Sequence, residues 1–175
     1  MITRKARLGD THAVGSMICD ALAHSPSSVF DRADLAVDEF EVGRELMSAP
    51  LAAGDLVWVL EAGQQIAGFA LARARTLHRS SHVADLALVV HPIARGRGGG
   101  ATLLAAIEGA ARDAADLHKL VHRVAVDDEA LKATLRSSSS PWVCERHECE
   151  GLRRGAHFVD TELWGLVVGA GPRPS

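Results

Sequence analysis

The chain has 175 residues, enough for about one domain with a buried core. Its hydrophobic content of 47% argues against general disorder, and its net charge of −3 gives no broad attraction to nucleic acid or to an anionic membrane. Three cysteines, no apparent secretory signal and no apolar run of about 18 residues predict a cytoplasmic protein with no disulfide framework and no membrane span.

The first half of the chain predicts a strand and two helices, followed by three strands. Residues 2–7 favour a strand, and the apolar spacing after residue 10 predicts a helix that ends before Pro26. A second helix is predicted over about residues 34–47, with an acidic outer face. Residues 56–60, 66–77 and 82–90 then change to the strand period, and their short connections predict an antiparallel meander.

The second half predicts two more helices and three more strands. A helix follows the glycine-rich segment near residue 100, and residues 120–126 favour a strand, so a right-handed crossover should make these strands a parallel pair. Residues 127–135 predict a short helix that the serine run ends. Residues 152–159 and 163–168 are predicted to form a terminal hairpin. We therefore expect one domain over residues 1–168 and a frayed tail over 169–175.

The glycine-rich segment has the composition of a phosphate-binding loop. Gly96, Gly98, Gly99 and Gly100 stand between a strand and a helix, where backbone N–H groups and the helix dipole favour an anion. Arg95 and Arg97 would add positive charge. Side chains would not obstruct a diphosphate at this position.

Three other interpretations of the segment fit less well. A Walker loop requires a lysine that this segment lacks. The dinucleotide fingerprint matches Gly96, Gly98 and Ala101, but four residues separate its glycines from the strand, and the loop follows an antiparallel meander. A glycine-rich turn without a ligand is the third, although four glycines before a helix cost stability.

Val90-His91-Pro92, Arg95, Gly98 and Gly100 together resemble the signature of the GNAT superfamily of N-acetyltransferases. The predicted order β-α-α-β-β-β-α-β-α-β-β is also similar to that superfamily over nearly the full chain. The resemblance implies an α/β (α+β) fold with a mixed, mainly antiparallel central sheet flanked by helices. It implies acetyl-coenzyme A as cosubstrate and no metal.

The resemblance also implies which residues form the site. Backbone groups of Leu88, Val89 and Val90 would bind the pantetheine arm, with an N–H near Val89 or Val90 stabilising the oxyanion. The remaining residues implied to bind the cofactor are Arg95, Gly96, Arg97, Gly98, Gly99, Gly100, Ala101 and Asp128. Asp85 is the candidate catalytic base, because similar enzymes often carry an acid on that strand.

The chain departs from the superfamily after the fifth strand. Relatives carry an asparagine where this chain has Asp127 or Asp128, and a proton-donating tyrosine seven residues later. This chain has Thr134 or Leu135 there and contains no tyrosine at all. Water, Cys144 or a histidine could replace the tyrosine. A non-catalytic acyl-coenzyme A binding or sensing protein and a dinucleotide-binding module therefore remain alternatives.

The remaining polar residues predict no second site. Cys144, His147 and Cys149 lack the second ligand pair of a structural zinc site, so a surface turn with free thiols is expected. The scattered histidines, His122 among them, are expected at solvated or sheet-edge positions. The acceptor is expected to be a small amine, an amino acid or a protein N-terminus, and the resemblance implies a possible homodimer.

Overall fold

The structure, a computed structural model, describes residues 1–25 and 38–169. Its strands are β1 (Ile2–Lys5), β2 (Leu56–Ala62), β3 (Gln65–Ala74), β4 (Val83–Val90), β5 (Lys119–Ala125), β6 (Val143–Arg154) and β7 (His157–Val167). Its α-helices are α1 (Thr11–Ala23), α2 (Glu39–Gly43), α3 (Ala49–Ala53), α4 (Gly99–Asp113) and α5 (Glu129–Arg136). Within these residues, no helix has the length and apolar character needed to cross a bilayer.

The seven strands form one sheet in the order β1-β2-β3-β4-β5-β7-β6. Every neighbouring pair is antiparallel except β4 and β5, which the helix α4 connects as a parallel pair. The predicted mixed, mainly antiparallel sheet with flanking helices is therefore confirmed. The antiparallel pairing of β3 with β4 also separates this fold from the parallel sheet that a dinucleotide fingerprint usually opens.

Each face of the sheet buries its own apolar cluster. On one face, α4 and α5 pack over the sheet through residues such as Leu104, Ile107 and Leu135. On the other face, α1 and the helical segment after it pack over β2 and β3 through Val14, Met47 and others. Successive residues of a strand alternate between the two faces, so the position of a residue along β4 or β5 decides which face its side chain meets.

The second helical segment differs from its predicted bounds. Residues 34–37 of the prediction lie outside the described residues, and the helix continues beyond residue 47 through a π-helical turn (Arg44–Ser48) into α3. Its first turn packs closely on α1. A Cβ added to Gly15 would lie only 1.8 Å from the carbonyl oxygen of Glu39. Only a glycine permits that approach.

The terminal hairpin is longer than predicted and turns earlier. β6 begins at Val143, and the turn lies at Gly155 (φ 61°) rather than near residue 160. The segment from Cys144 to Cys149 is therefore a strand, and its prediction as a surface turn is wrong. Two register shifts and the positive φ of Glu150 (51°) interrupt β6, so its residues do not alternate as a regular strand would.

The serine run fastens the end of α5 to α4 through a buried carboxylate. Glu108 of α4 is 1% exposed and accepts hydrogen bonds from Trp142 Nε1 (2.7 Å) and the hydroxyl of Ser138 (2.9 Å). The Ser140 hydroxyl donates to the same carboxylate. These donors satisfy a charge that burial would otherwise penalise, which explains why polar residues occupy this junction.

Candidate functional site

A V-shaped gap opens between β4 and β5. The two strands pair only at Val83–Lys119, Ala84–Leu120 and Asp85–Val121. Beyond this point, β4 stays paired with β3 as far as Val90, and β5 stays paired with β7 as far as Ala125. Each arm of the V is therefore held by its outer neighbour, while among the described residues no strand fills the space between the arms.

The inner edge of β4 offers backbone groups to this gap. Leu88, Val89 and Val90 are all half-buried, and their inner edge pairs with no strand that the structure describes. An extended ligand lying here would meet backbone hydrogen-bond donors and acceptors along one side, as an added strand does. The binding of a pantetheine arm by these three residues, which the sequence resemblance implies, stays a prediction.

The predicted phosphate loop closes the open end of β4. After a 3₁₀ turn (Pro92–Ala94), Gly98 adopts a left-handed conformation (φ 80°) and begins α4 without a side-chain cap. Thr102 is the residue whose N–H bonds back to the Gly98 carbonyl. The N–H groups of Gly99, Gly100 and Ala101 therefore have no intrahelical acceptor, and the helix dipole adds positive potential there.

The two arginines of the loop differ in their contacts. Arg95 donates to the carbonyl oxygens of Val90 (2.8 Å) and His24 (2.8 Å), and also reaches the end of α1, so it ties the loop to that helix. Partial burial lowers the pKa of Arg95. Arg97 is exposed and makes no ion pair within the described residues, so its charge is available to an incoming anion.

Asp128 lies at the start of α5, on the opposite arm of the V. Its side chain caps the helix by accepting from the N–H of Leu131 (3.0 Å). Burial raises the pKa of Asp128, while Arg95 across the gap acts in the opposite direction. The two residues thus influence each other electrostatically between the arms, which places both beside the V.

Asp85 marks the point at which the arms separate. It is the last residue of β4 that pairs with β5, and both of its carboxylate oxygens accept from Arg75 (3.0 and 2.9 Å). The Asp85 hydrogen bond raises the pKa of Arg75. This two-pronged ion pair fixes the orientation of the Asp85 carboxylate where the arms separate.

Asp85 and Arg75 open onto a cavity of about 570 Å³ on the α1 face of the sheet. Arg123 and Arg146 lie at its other side and share one carboxylate, that of Glu148. The cavity is lined by Arg75, Asp85, Leu86, Val121, His122, Arg123, Arg146, Gly151, Leu152 and Leu163. The cavity therefore adjoins the apex of the V, has charged walls and is large enough for a small acceptor.

Thr134 and Leu135 occupy the two positions at which the sequence resemblance implies a tyrosine. A Cβ placed on Gly100 would lie 3.5 Å from Thr134 Cγ2 and 3.8 Å from Val90 Cγ2, so Thr134 faces the open end of the V. Its hydroxyl donates to the Ala130 carbonyl of its own helix (2.9 Å). Leu135 is fully buried. Neither residue supplies the acidic proton of a phenol.

His122 differs from the solvated or sheet-edge position that the sequence predicts. It is 2% exposed and lies on β5 one residue beyond the last pair with β4. Burial lowers its pKa from 6.5 to about 4. Its place between Leu120 and Val124, two apolar residues two positions away on either side, was the signal for an inward-facing side chain.

The structure brings Cys144 and His147 together with Glu162, and not with the Cys149 that the sequence pattern includes. Cys144 Sγ lies 3.8 Å from His147 Nε2, and His147 Nδ1 lies 3.9 Å from Glu162 Oε1. Ligand atoms of these three residues lie within 4.8 Å of one another. Glu162 also accepts from Trp164 Nε1 (2.8 Å), so it already has a structural partner. Cys149 is exposed and is not part of the group.

Comparison with known proteins identifies similar sequences and folds. The model of the acetyltransferase (GNAT) family matches residues 18–136, which is more than half of the chain. The match begins within α1, includes the glycine loop and ends with α5. No curated protein matches the chain at a significant level.

Several solved structures share the fold over nearly their whole length. A ribosomal-protein-alanine N-acetyltransferase from Brucella melitensis is 23% identical, with a TM-score of 0.83 over 95% of this chain and 99% of its own. The yncA protein from Salmonella typhimurium, solved with acetyl-CoA, is 20% identical, with a TM-score of 0.85 over 100% and 98% of the two chains. A phosphinothricin acetyltransferase from Sinorhizobium meliloti, in complex with AcCoA, is 17% identical, with a TM-score of 0.82 over 99% and 92%. At these identities the similarity shows the fold alone.

Proposed function

We propose that this chain, which belongs to the acetyltransferase (GNAT) family, moves an acetyl group from acetyl-coenzyme A to a primary amine. The observation that carries the proposal is the V between β4 and β5, which ends at an uncapped, glycine-rich helix N-terminus. An extended arm that terminates in a diphosphate fits both parts of this arrangement. The reaction requires no metal.

The residues of the β4 arm suit the cosubstrate. The N–H groups of Gly99, Gly100 and Ala101 converge where a diphosphate would lie, and Arg97 adds charge. The inner edge of Leu88, Val89 and Val90 would bind the pantetheine amides as a strand does. A backbone N–H near Val89 or Val90 would stabilise the charge that develops on the thioester oxygen. Gly96 and Gly98 shape the loop, Arg95 ties it to the end of α1, and Asp128 faces it from the opposite arm of the V.

Asp85 is the residue that we assign as the first proton acceptor. An amine enters as an ammonium ion and must lose a proton before it can attack the thioester carbonyl. Asp85 lines the cavity that adjoins the apex of the V, and two hydrogen bonds from Arg75 orient its carboxylate. The amine then forms the C–N bond directly, the C–S bond breaks, and coenzyme A leaves as a thiolate that takes up a proton.

The class of acceptor is narrowed to a primary amine and no further. The structural neighbours include enzymes named for a ribosomal-protein alanine, for phosphinothricin and for spermidine, at TM-scores of 0.83, 0.82 and 0.75. These acceptors differ in size and charge although the fold is shared, because the acceptor contacts lie outside the features that define the fold. We therefore propose a small amine, an amino acid or a protein N-terminus.

A second function is favoured by one specific observation. Thr134 and Leu135 stand where the resemblance implies the proton-donating tyrosine, and the Thr134 hydroxyl donates to Ala130. A chain without a donor for the leaving thiolate could bind acyl-coenzyme A as a sensor without turning it over.

Thiol release separates the two functions. With acetyl-coenzyme A and separate panels of small amines, amino acids and peptides, we expect free thiol to appear at a rate that depends on the amine. A Gly100→Trp variant is the control, because its indole would fill the space beside Thr134 and block the V. A wild-type rate that no amine raises above the control would contradict acetyl transfer and favour the sensor.

A further inference from the structure

His122 occupies the apex of the V. Val121 is the last residue of β5 that pairs with β4, and His122 is the next residue, opposite Leu86. Its side chain is 2% exposed, yet the residue also lines the cavity that contains Asp85. Like Leu120 two residues earlier, its ring lies on the α4 and α5 face of the sheet, whereas Asp85 lies on the α1 face. The two side chains therefore approach the gap between the strands from opposite faces.

The two ring nitrogens of His122 have different environments. One hydrogen bond joins the ring to the backbone of Leu86, while Nε2 is buried and has no hydrogen-bond partner among the described residues. The bond to Leu86 therefore involves Nδ1, which donates to the carbonyl oxygen. In this tautomer, Nε2 carries a lone pair and faces no donor.

The neighbouring ionisable groups do not supply that donor. Arg75 is bound to Asp85, and Arg123 and Arg146 are bound to Glu148. Glu108 on α4 and Glu162 on β7 accept from Trp142 and Trp164, and on α5 Arg136 lies over the Trp164 ring. A buried acceptor without a donor destabilises the protein. Such groups concentrate at sites that a ligand completes.

We propose that Nε2 of His122 carries the second proton of the reaction, taking it from the amine nitrogen after attack and giving it to the thiolate of coenzyme A. This inference rests on the proposed acetyl transfer. The ammonium substrate carries two protons that must leave its nitrogen. The first goes to Asp85 before attack. The second leaves as the C–N bond forms, passes through His122 and reaches the sulfur as the C–S bond breaks, so that the products are an amide and a free thiol.

The acid strength of His122 fits the direction of this transfer. A pKa of about 4 keeps the imidazole neutral near pH 7, so its lone pair is available to accept a proton. Once protonated, it is a far stronger acid than a thiol, whose ordinary pKa is about 8.5. Proton delivery to the thiolate is therefore favourable. His122 on β5 thereby supplies the proton for the leaving thiolate, a step for which α5 offers only Thr134 and Leu135.

The test compares His122→Asn with the wild type. An asparagine amide can replace the Nδ1 donor to Leu86 but has no basic nitrogen at the position of Nε2. We expect turnover to fall about 100-fold, the lower end of general acid–base effects. Acetyl-coenzyme A affinity, measured by calorimetry, should change by no more than about twofold. His157→Asn, on the exposed end of β7, is the control and should keep the wild-type rate.

A second measurement does not depend on turnover. In ¹⁵N NMR spectra of imidazole-labelled protein, addition of coenzyme A should shift the Nε2 resonance of His122, because its thiol would then donate to that nitrogen. A His122→Asn variant that keeps its rate within about threefold of an active wild type would overturn the role of His122 and leave acetyl transfer intact. An unchanged Nε2 resonance at saturating coenzyme A would also overturn it. An inactive wild type would contradict the proposed function as well.

Discussion

The two arms of the V differ in how they contribute to the site. The β4 arm, with its loop and α4, contributes mainly backbone: the inner edge of β4 and the N–H groups at Gly99, Gly100 and Ala101. The β5 arm contributes side chains, with His122 at the apex and Thr134 at the open end. Binding a diphosphate needs converging N–H groups, whereas moving protons needs particular acids and bases.

This difference explains why the residues that carry the sequence resemblance lie in the β4 arm, while the departures from the implied pattern lie in the β5 arm. A loop that binds through its backbone has few alternatives, because only glycines allow the left-handed turn at Gly98 and a bare helix start. A proton can be delivered by any group that reaches the same point. The loss of a tyrosine on α5 can therefore be offset from β5, provided that a titratable side chain reaches the apex.

The largest expected effect separates proton transfer from binding. Asp85→Asn should lower turnover about 100-fold or more, because the amide cannot take a proton from the ammonium. Acetyl-coenzyme A affinity should stay within about twofold of the wild-type value, since Asp85 is absent from the phosphate loop. Steady-state kinetics and calorimetry measure the two quantities.

The control for Asp85→Asn is Arg75→Gln. It removes the ion pair but leaves the carboxylate in place. We expect this variant to keep most of its turnover. Equal losses in the two variants would mean that the ion pair itself, rather than proton acceptance by Asp85, is what the reaction needs.

The pH dependence of the free energy of unfolding tests whether His122 is buried. The pKa of His122 is 6.5 in the unfolded chain and about 4 in the folded one, so between these values the unfolded state binds more protons. The free energy of unfolding should therefore fall as the pH falls through this window. His122 should account for a loss of about 2 kcal/mol between pH 7 and pH 5.

Urea denaturation at the two pH values measures this loss. His122→Asn should remove about 2 kcal/mol of the difference between pH 7 and pH 5, while His157→Asn should keep it. If the wild type and His122→Asn lost the same free energy over this range, His122 would not be buried as a neutral ring. The apex of the V would then be open to solvent.

Much of the fold, and the β4 arm above all, could be predicted from the sequence. The strands β1 to β5 and the helices α1, α4 and α5 follow local apolar periodicity, and the glycine spacing marks the loop. The terminal hairpin could not be placed, because Thr161 and Glu162 look like turn residues. Both are in fact buried in β7, where Glu148 accepts from Thr161 and Trp164 donates to Glu162.

The β5 arm was less predictable because its side chains depend on contacts between residues far apart in the sequence. The environment of His122 depends on its contact with Leu86, 36 positions earlier in the sequence, and on the exact residue at which β4 and β5 separate. Local periodicity indicates that the His122 side chain faces inward, but it does not predict the contact with Leu86 or the point of separation. The absence of tyrosine was visible in the sequence, but the side chain that could replace it was not.

The smallest expected effect concerns the backbone arm. Ala101→Glu places a negative charge beside the N–H groups that would bind the diphosphate, and should weaken acetyl-coenzyme A binding about tenfold, or about 1.4 kcal/mol. The same charge interacts favourably with the helix dipole, so stability should not fall. Ala105→Glu, one turn later and also exposed, is the control. Equal affinities in the two variants would place the diphosphate elsewhere.

The V and its glycine loop form the proposed site for acetyl-coenzyme A. Calorimetric titration of the wild-type protein with acetyl-coenzyme A and, separately, with a nicotinamide dinucleotide tests this assignment. We predict saturable binding of acetyl-coenzyme A at one site per chain and no measurable heat with the dinucleotide. Binding of the dinucleotide alone would contradict the account.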